Sequence, residues 1–232
     1  MTPAFALASC VSLLLFCGPV PAQDDSGNCL YSFHVGAGNS TKPVVACGFE
    51  DPRRIGDDAR IKKTMEALGI PQSIVTFRGC AGLDFSAASD TRVGASKNQY
   101  VVSYPSDLQS PMNAMVAPIV HELAHVGQMR AAGGVENLRR MYESRRVELG
   151  ADFVAGLLYA TALQGTDIKD FLLNLRLIGG YLARDVESHG TPEQRTGAFR
   201  RGAFLQYPYN ELSIPKSEKY FQENDYADLL VF

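Results

Sequence analysis

His121-Glu122-Leu123-Ala124-His125 lies inside an apolar segment with helical spacing, and it constrains the fold of this chain more than any other five residues. Residues four apart on an α-helix sit about 40° apart in projection, so both imidazoles leave one face and can meet a single ion. Zinc accepts histidine nitrogen at about 2.0–2.1 Å, stays tetrahedral and, in hydrolytic sites, keeps one position for water. Glu122 projects beside the pair, where it is placed to take a proton from that water instead of binding the metal. A chain built around this helix must bury it and bring it at least one more ligand.

The candidate ligand lies in Arg146-Val147-Glu148-Leu149-Gly150-Ala151-Asp152. Glu148 and Asp152 are again four apart and share a helical face. A catalytic zinc with two histidines takes a carboxylate as its third protein ligand, and Glu148 is the candidate, with Asp152 as the alternative. With Glu148 on the metal, Asp152 is free to accept from the outer nitrogen of a ligating histidine and fix its tautomer. Gly133-Gly134 breaks the chain between the two motifs and permits the helix–turn–helix that would join them. A third segment reads His189-Gly190-Thr191-Pro192-Glu193-Gln194-Arg195. Peptide hydrolysis builds negative charge on the carbonyl oxygen, and His189 or Arg195 can donate to it. Equally, Arg195 can pair with Glu148, Asp152 or Glu193 and hold helices together.

The remaining pattern separates a short mixed N-terminal part from a helical C-terminal half. Residues 57–68 place Ile61, Met65 and Leu68 at helical spacing, with Asp57 as cap and Gly69 as stop. Residues 73–77 and 100–104 read as strands and 83–88 as a third, while 24–49 reads as irregular or short extended chain. Ser110-Pro111 resembles a cap followed by proline in the first turn of a helix that runs to Ala132, with Pro118 marking either a later start or a kink. Further helices are predicted over 135–164, 166–186 and 191–204, the last opened by the capping box Thr191-Pro192-Glu193-Gln194.

Residues 1–22 read as a secretory signal peptide: an uncharged apolar run, the breakers Gly18, Pro19 and Pro21, and a small-residue cleavage pattern at Val20-Pro21-Ala22. The run is shorter than the about 20 residues that span a bilayer, so cleavage is favoured over anchoring. The later uncharged run over 153–166 is shorter still, and no stable membrane insertion of the mature chain is expected. Removal of the leader leaves Cys29, Cys47 and Cys80 in a secreted or periplasmic protein. The simplest disulfide joins Cys29 to Cys47, with Cys80 free or exchanging into the pair; three partly buried thiols are the alternative. A length of 232 residues, 46% apolar, suits one globular domain over 23–232, and a net charge of −3 speaks against a nucleic-acid partner.

With these motifs in order, residues 100–204 resemble zinc metallopeptidases of the HExxH plus Glu-x-x-x-Asp type, the gluzincins. More narrowly they are similar to the neutral zinc metallopeptidases of bacteria, in which a HELxH helix precedes E-L-x-A-D-x-x-A-G and H-G-T/S-x-x-Q-R. Those stand here as His121 to His125, ELGADFVAG from Glu148, and HGTPEQR from His189. The resemblance implies an α+β, zincin-like domain with a small N-terminal sheet and a helical C-terminal half. It also implies zinc held by His121, His125 and Glu148, Glu122 as general base acting on a peptide or protein substrate, and Asp152 behind the ligands. By the same resemblance, YVVSYP from Tyr100 is the edge strand that binds an extended peptide. Phe153 departs from the pattern, which often has cysteine there, and residues 205–232 have no counterpart. Two other readings fit the same residues: a zinc-binding but non-hydrolytic periplasmic protein, and a zinc hydrolase of peptidoglycan cross-links.

Overall fold

The computed structural model describes residues 46–47, 51–81, 85–89, 98–106, 110–163, 167–173, 189–204 and 213–231, which form a mixed α/β structure that is mostly helical. The leader over 1–22, most of the irregular stretch 24–49 and most of the predicted 166–186 helix lie outside the described residues, although 168–173 are helical. Among the described residues no helix is long and apolar enough to cross a membrane.

Four strands, β1 (Ala46–Cys47), β2 (Val75–Ala81), β3 (Ser86–Ser89) and β4 (Tyr100–Pro105), form one sheet in the order β1-β2-β4-β3. β4 runs parallel to β2, with Val75 opposite Tyr100, and antiparallel to β3, with Ser86 opposite Ser103. Five successive β4 residues are buried, so both faces of the sheet are covered at its centre. This corrects the expectation that YVVSYP is an edge strand. Its backbone is already paired with β2 on one side and β3 on the other, leaving no ladder for a peptide; among the described residues the edge beside it is β3.

Cys47 and Cys80 face each other across the antiparallel β1–β2 pair and form a disulfide. The Cys29–Cys47 pairing expected from sequence is therefore wrong: strand register, and not nearness along the chain, decides which cysteine meets Cys47. In the chain-entropy model, a bridge across a sequence separation of 33 stabilises by about 3–4 kcal/mol.

The helix α1 (Ala59–Ala67) turns Ile61, Thr64 and Met65 inward. Its cap is Asp58, which accepts from the Arg60 amide at 2.8 Å, and not Asp57, which ends a 3₁₀ turn and pairs with Arg54. The central helix is α2 (Met112–Ala132), buried without interruption from Met115 to Val126. A stretch buried through several turns must be covered all round, and α2 packs on α1, β3 and β4 as well as on the helices that follow. Pro118 lies within it, so the helix does not start late, and because it begins at Met112 the cap position is Pro111 and not Ser110. Gly133, at φ 75°, ends α2 in a left-handed turn in which the Gly134 amide donates to the Met129 carbonyl at 2.7 Å.

The predicted helix over 135–164 is two helices, α3 (Val135–Met141) and α4 (Ser144–Thr161). Tyr142 and Glu143 are extended between them, and the Glu143 carboxylate accepts the Tyr226 hydroxyl from the C-terminal segment. That long-range tie is invisible in the local apolar spacing, which runs through the break. α5 (Pro192–Phe204) opens with the expected capping box: Gln194 N donates to Thr191 Oγ1 at 3.2 Å, and Thr191 N to Gln194 Oε1 at 2.9 Å. α6 (Ile214–Tyr220), a π turn (Phe221–Asp225) and a 3₁₀ turn (Ala227–Val231) finish the chain.

α4 and α5 touch backbone to backbone. A Cβ added at Gly156 would lie 2.1 Å from the Phe199 carbonyl oxygen, and one at Gly202 would lie 2.0 Å from that of Phe153. These two glycines set the spacing that brings the residues of α4 and α5 to one place. Gly156→Ala and Gly202→Ala should each cost about 3 kcal/mol in urea denaturation, because rigid backbone must separate. Gly127→Ala in α2 is the contrast: its Cβ would meet only Leu68 Cδ2, at 3.6 Å, and it should be neutral or stabilising by up to about 1 kcal/mol.

Candidate metal centre

α2 presents His121, Glu122 and His125, α4 presents Glu148 and Asp152, and the start of α5 with the turn before it brings His189 and Arg195. All seven lie together and none is more than 4% exposed. His121 Nε2 is 3.1 Å from Glu148 Oε2 and 3.0 Å from His125 Nε2, and His125 Nε2 is 3.5 Å from the same Glu148 oxygen. His121, His125 and Glu148 thus form a buried group able to hold a metal ion. The carboxylate considered as an alternative ligand, Asp152, sits behind His121 instead, with Oδ1 2.8 Å from Nδ1.

The hydrogen bonds at the far nitrogens fix both tautomers. Asp152 is a carboxylate and can only accept, so His121 carries a proton on Nδ1. His125 Nδ1 lies 2.7 Å from Gln128 Oε1, and the Gln128 amide nitrogen is committed to two acceptors, the Val147 carbonyl at 2.9 Å and Glu218 Oε1 at 2.6 Å. The Gln128 oxygen must therefore face His125, which also carries its proton on Nδ1. Both Nε2 atoms then face each other and a carboxylate oxygen, an arrangement satisfied by positive charge among the three, either a metal ion or the second proton of a His121 imidazolium.

Charge argues the same way. Three buried carboxylates, Glu122, Glu148 and Asp152, face one guanidinium, Arg195, an excess of negative charge that favours a further cation, a metal ion or a protonated His121. Burial opposes an imidazolium at His121, but Asp152 and Glu148 overcome it and hold its pKa at about 9, a second sign that the site attracts positive charge. Burial likewise raises the Glu148 carboxyl, yet the neighbouring His125 and His121 outweigh it and keep it well below the usual range. Asp152 is lowered because Arg195 and then His121 outweigh its burial. Glu122 moves the other way: burial dominates and raises it. Its Oε2 is buried and has no hydrogen-bond partner among the described residues.

Arg195 donates from Nε to Asp152 Oδ2 at 2.7 Å and from Nη2 to Oδ1 at 2.8 Å, the bidentate pairing weighed against an oxyanion role. His189 Nε2 lies 3.8 Å from Glu148 Oε1. Two contributors escaped the sequence reading. Gln128 stands seven residues after His121 and three after His125, so helical periodicity alone places it on their face. Glu218 comes from the C-terminal segment, ninety positions beyond Gln128, and no local signal announces it. Its burial pushes the carboxyl up to about 7, a rise partly offset by the Gln128 hydrogen bond.

Removing one member of a buried ion pair strands the other. Arg195→Met should cost about 3–5 kcal/mol in denaturant unfolding, and the joint Arg195→Met, Asp152→Leu variant should cost less than the two single changes summed. A cost below 1 kcal/mol for Arg195→Met would contradict the pairing. No family model matches the chain, and no curated protein or solved structure matches it either.

Proposed function

We propose that this chain is an exported, zinc-dependent metallopeptidase with a zincin-like fold, of the kind its HExxH, Glu-x-x-x-Asp and HGTPEQR motifs resemble. The observation that carries the reading is the convergence of His121 Nε2, His125 Nε2 and Glu148 Oε2 beside Glu122, whose Oε2 has no partner among the described residues. Two imidazoles and one carboxylate are the donor set of hydrolytic zinc. Tetrahedral ligands at zinc bond lengths stand about 3.3 Å apart, against 3.0, 3.1 and 3.5 Å here. The Cys47–Cys80 disulfide supports an oxidising compartment, in keeping with the leader read at residues 1–22.

Bound zinc supplies Lewis acidity, which makes a water reactive toward a peptide carbonyl near neutral pH. The proton work falls to Glu122. Its Oε2 accepts the proton of the attacking water and returns it to the leaving amine, and the burial that raises its carboxyl makes it a stronger base than an exposed one. Asp152 holds the His121 ring from behind, and Arg195, spent on Asp152, acts through that carboxylate. The contact to the developing oxyanion is assigned to His189, supported by its 3.8 Å approach to Glu148 and by the commitment of Arg195 elsewhere.

Glu122→Gln should leave zinc stoichiometry intact and lower hydrolysis of a peptide library at least 100-fold. Glu148→Gln should lose zinc itself. A chelator should abolish wild-type cleavage and added zinc restore it. Cleavage undiminished in Glu122→Gln would sink the general-base assignment, and a zinc-loaded wild type that cuts no peptide would favour the non-hydrolytic reading.

A further inference from the structure

His121 and His125 are backed differently. His121 meets the carboxylate of Asp152 directly, whereas His125 meets an amide, Gln128, whose nitrogen donates to the carboxylate of Glu218. A carboxylate behind a ligating imidazole orients the ring and raises its basicity, and an amide that accepts on one side while donating on the other can relay that effect. We propose that Glu218 of α6 is a positioning residue for His125, acting through Gln128, so that the C-terminal segment completes the metal centre. The inference rests on the metal-site reading above and goes beyond it, because it adds a segment that no motif covers.

The packing around the relay is built for it. α4 passes it at Gly150, where a Cβ would lie 2.2 Å from Gln222 Nε2 and 3.0 Å from both Gln128 Nε2 and Glu218 Oε1. Any larger residue there would push the three polar groups apart. The segment is also anchored independently of Glu218. Gln222 Nε2 donates to the Arg146 carbonyl at 2.8 Å, Phe221 stacks on Phe153 with ring centroids 4.5 Å apart, and Arg146 lies over the Tyr226 ring at 4.6 Å. Phe153 is the position at which the chain departs from the pattern it resembles, and its partner belongs to the tail that pattern lacks. Because these ties remain when Glu218 is altered, a substitution there interrogates the relay and leaves the docking in place.

The test is the zinc dissociation constant of the full chain, by chelator competition, with the melting temperature of the metal-free protein as companion measurement. Glu218→Met keeps bulk and removes the acceptor; it should weaken zinc binding about tenfold with little change in the metal-free melting temperature. Glu218→Gln keeps an acceptor oxygen and should stay within about threefold of wild type. In a Gln128→Met background, Glu218→Met should weaken binding no further, since its route to His125 is gone. Glu223→Gln, on the same segment but exposed and paired with Lys219, should change nothing. Wild-type affinity in Glu218→Met, equal losses in the Met and Gln variants, or additive losses with Gln128→Met would each overturn the proposal. A wild type that binds no zinc would instead overturn the metal-site reading beneath it.

Discussion

Two imidazole nitrogens and one carboxylate oxygen face one another at 3.0 to 3.5 Å in a buried core, and the rest of the molecule is arranged to keep them there. Holding these atoms at that spacing in a buried core requires a rigid scaffold. That rigidity comes from α2, buried without interruption from Met115 to Val126, and from the crossing of α4 and α5 at Gly156 and Gly202. The crossing places Arg195 against Asp152, and Asp152 in turn fixes the His121 ring. Backbone contact, ion pair and tautomer are successive links of one chain of constraint.

The C-terminal segment extends that chain of constraint to the second histidine. Its aromatic and amide contacts reach α4 at Phe153 and Arg146, and through Gln128 it touches the ligand helix itself. The extended break at Tyr142–Glu143 belongs to the same arrangement, since Glu143 accepts from Tyr226 and Arg146 stacks on that ring. Two features that look unrelated along the chain, a helix that stops early and a glycine at position 150, therefore have one cause in space.

What the sequence disclosed and what it hid follow from the range of the forces involved. His121, His125, Glu148 and Asp152 were legible because helical geometry converts a spacing of four into a shared face, and the Thr191–Gln194 cap was legible because both partners lie within one turn. The strand from Tyr100 was recognisable from its β-branched and aromatic residues, but its place in the sheet was not, because order among strands is set by pairing partners far along the chain. The disulfide failed for the same reason: Cys80 reaches Cys47 through sheet register. Asp58 in place of Asp57 at the start of α1 is a one-residue matter that propensity does not resolve. Glu218 had no signal at all, since its role exists only once the tail has docked.

One metal ion belongs among His121, His125 and Glu148 if the proposed function holds. Anomalous X-ray scattering from crystals of the zinc-loaded protein, recorded on both sides of the zinc absorption edge, tests it most directly. A single strong peak is expected within bonding distance of both Nε2 atoms and a Glu148 oxygen, with Asp152 still on His121 Nδ1 and Gln128 still on His125 Nδ1. A peak elsewhere, or none at these residues under saturating zinc, would contradict it.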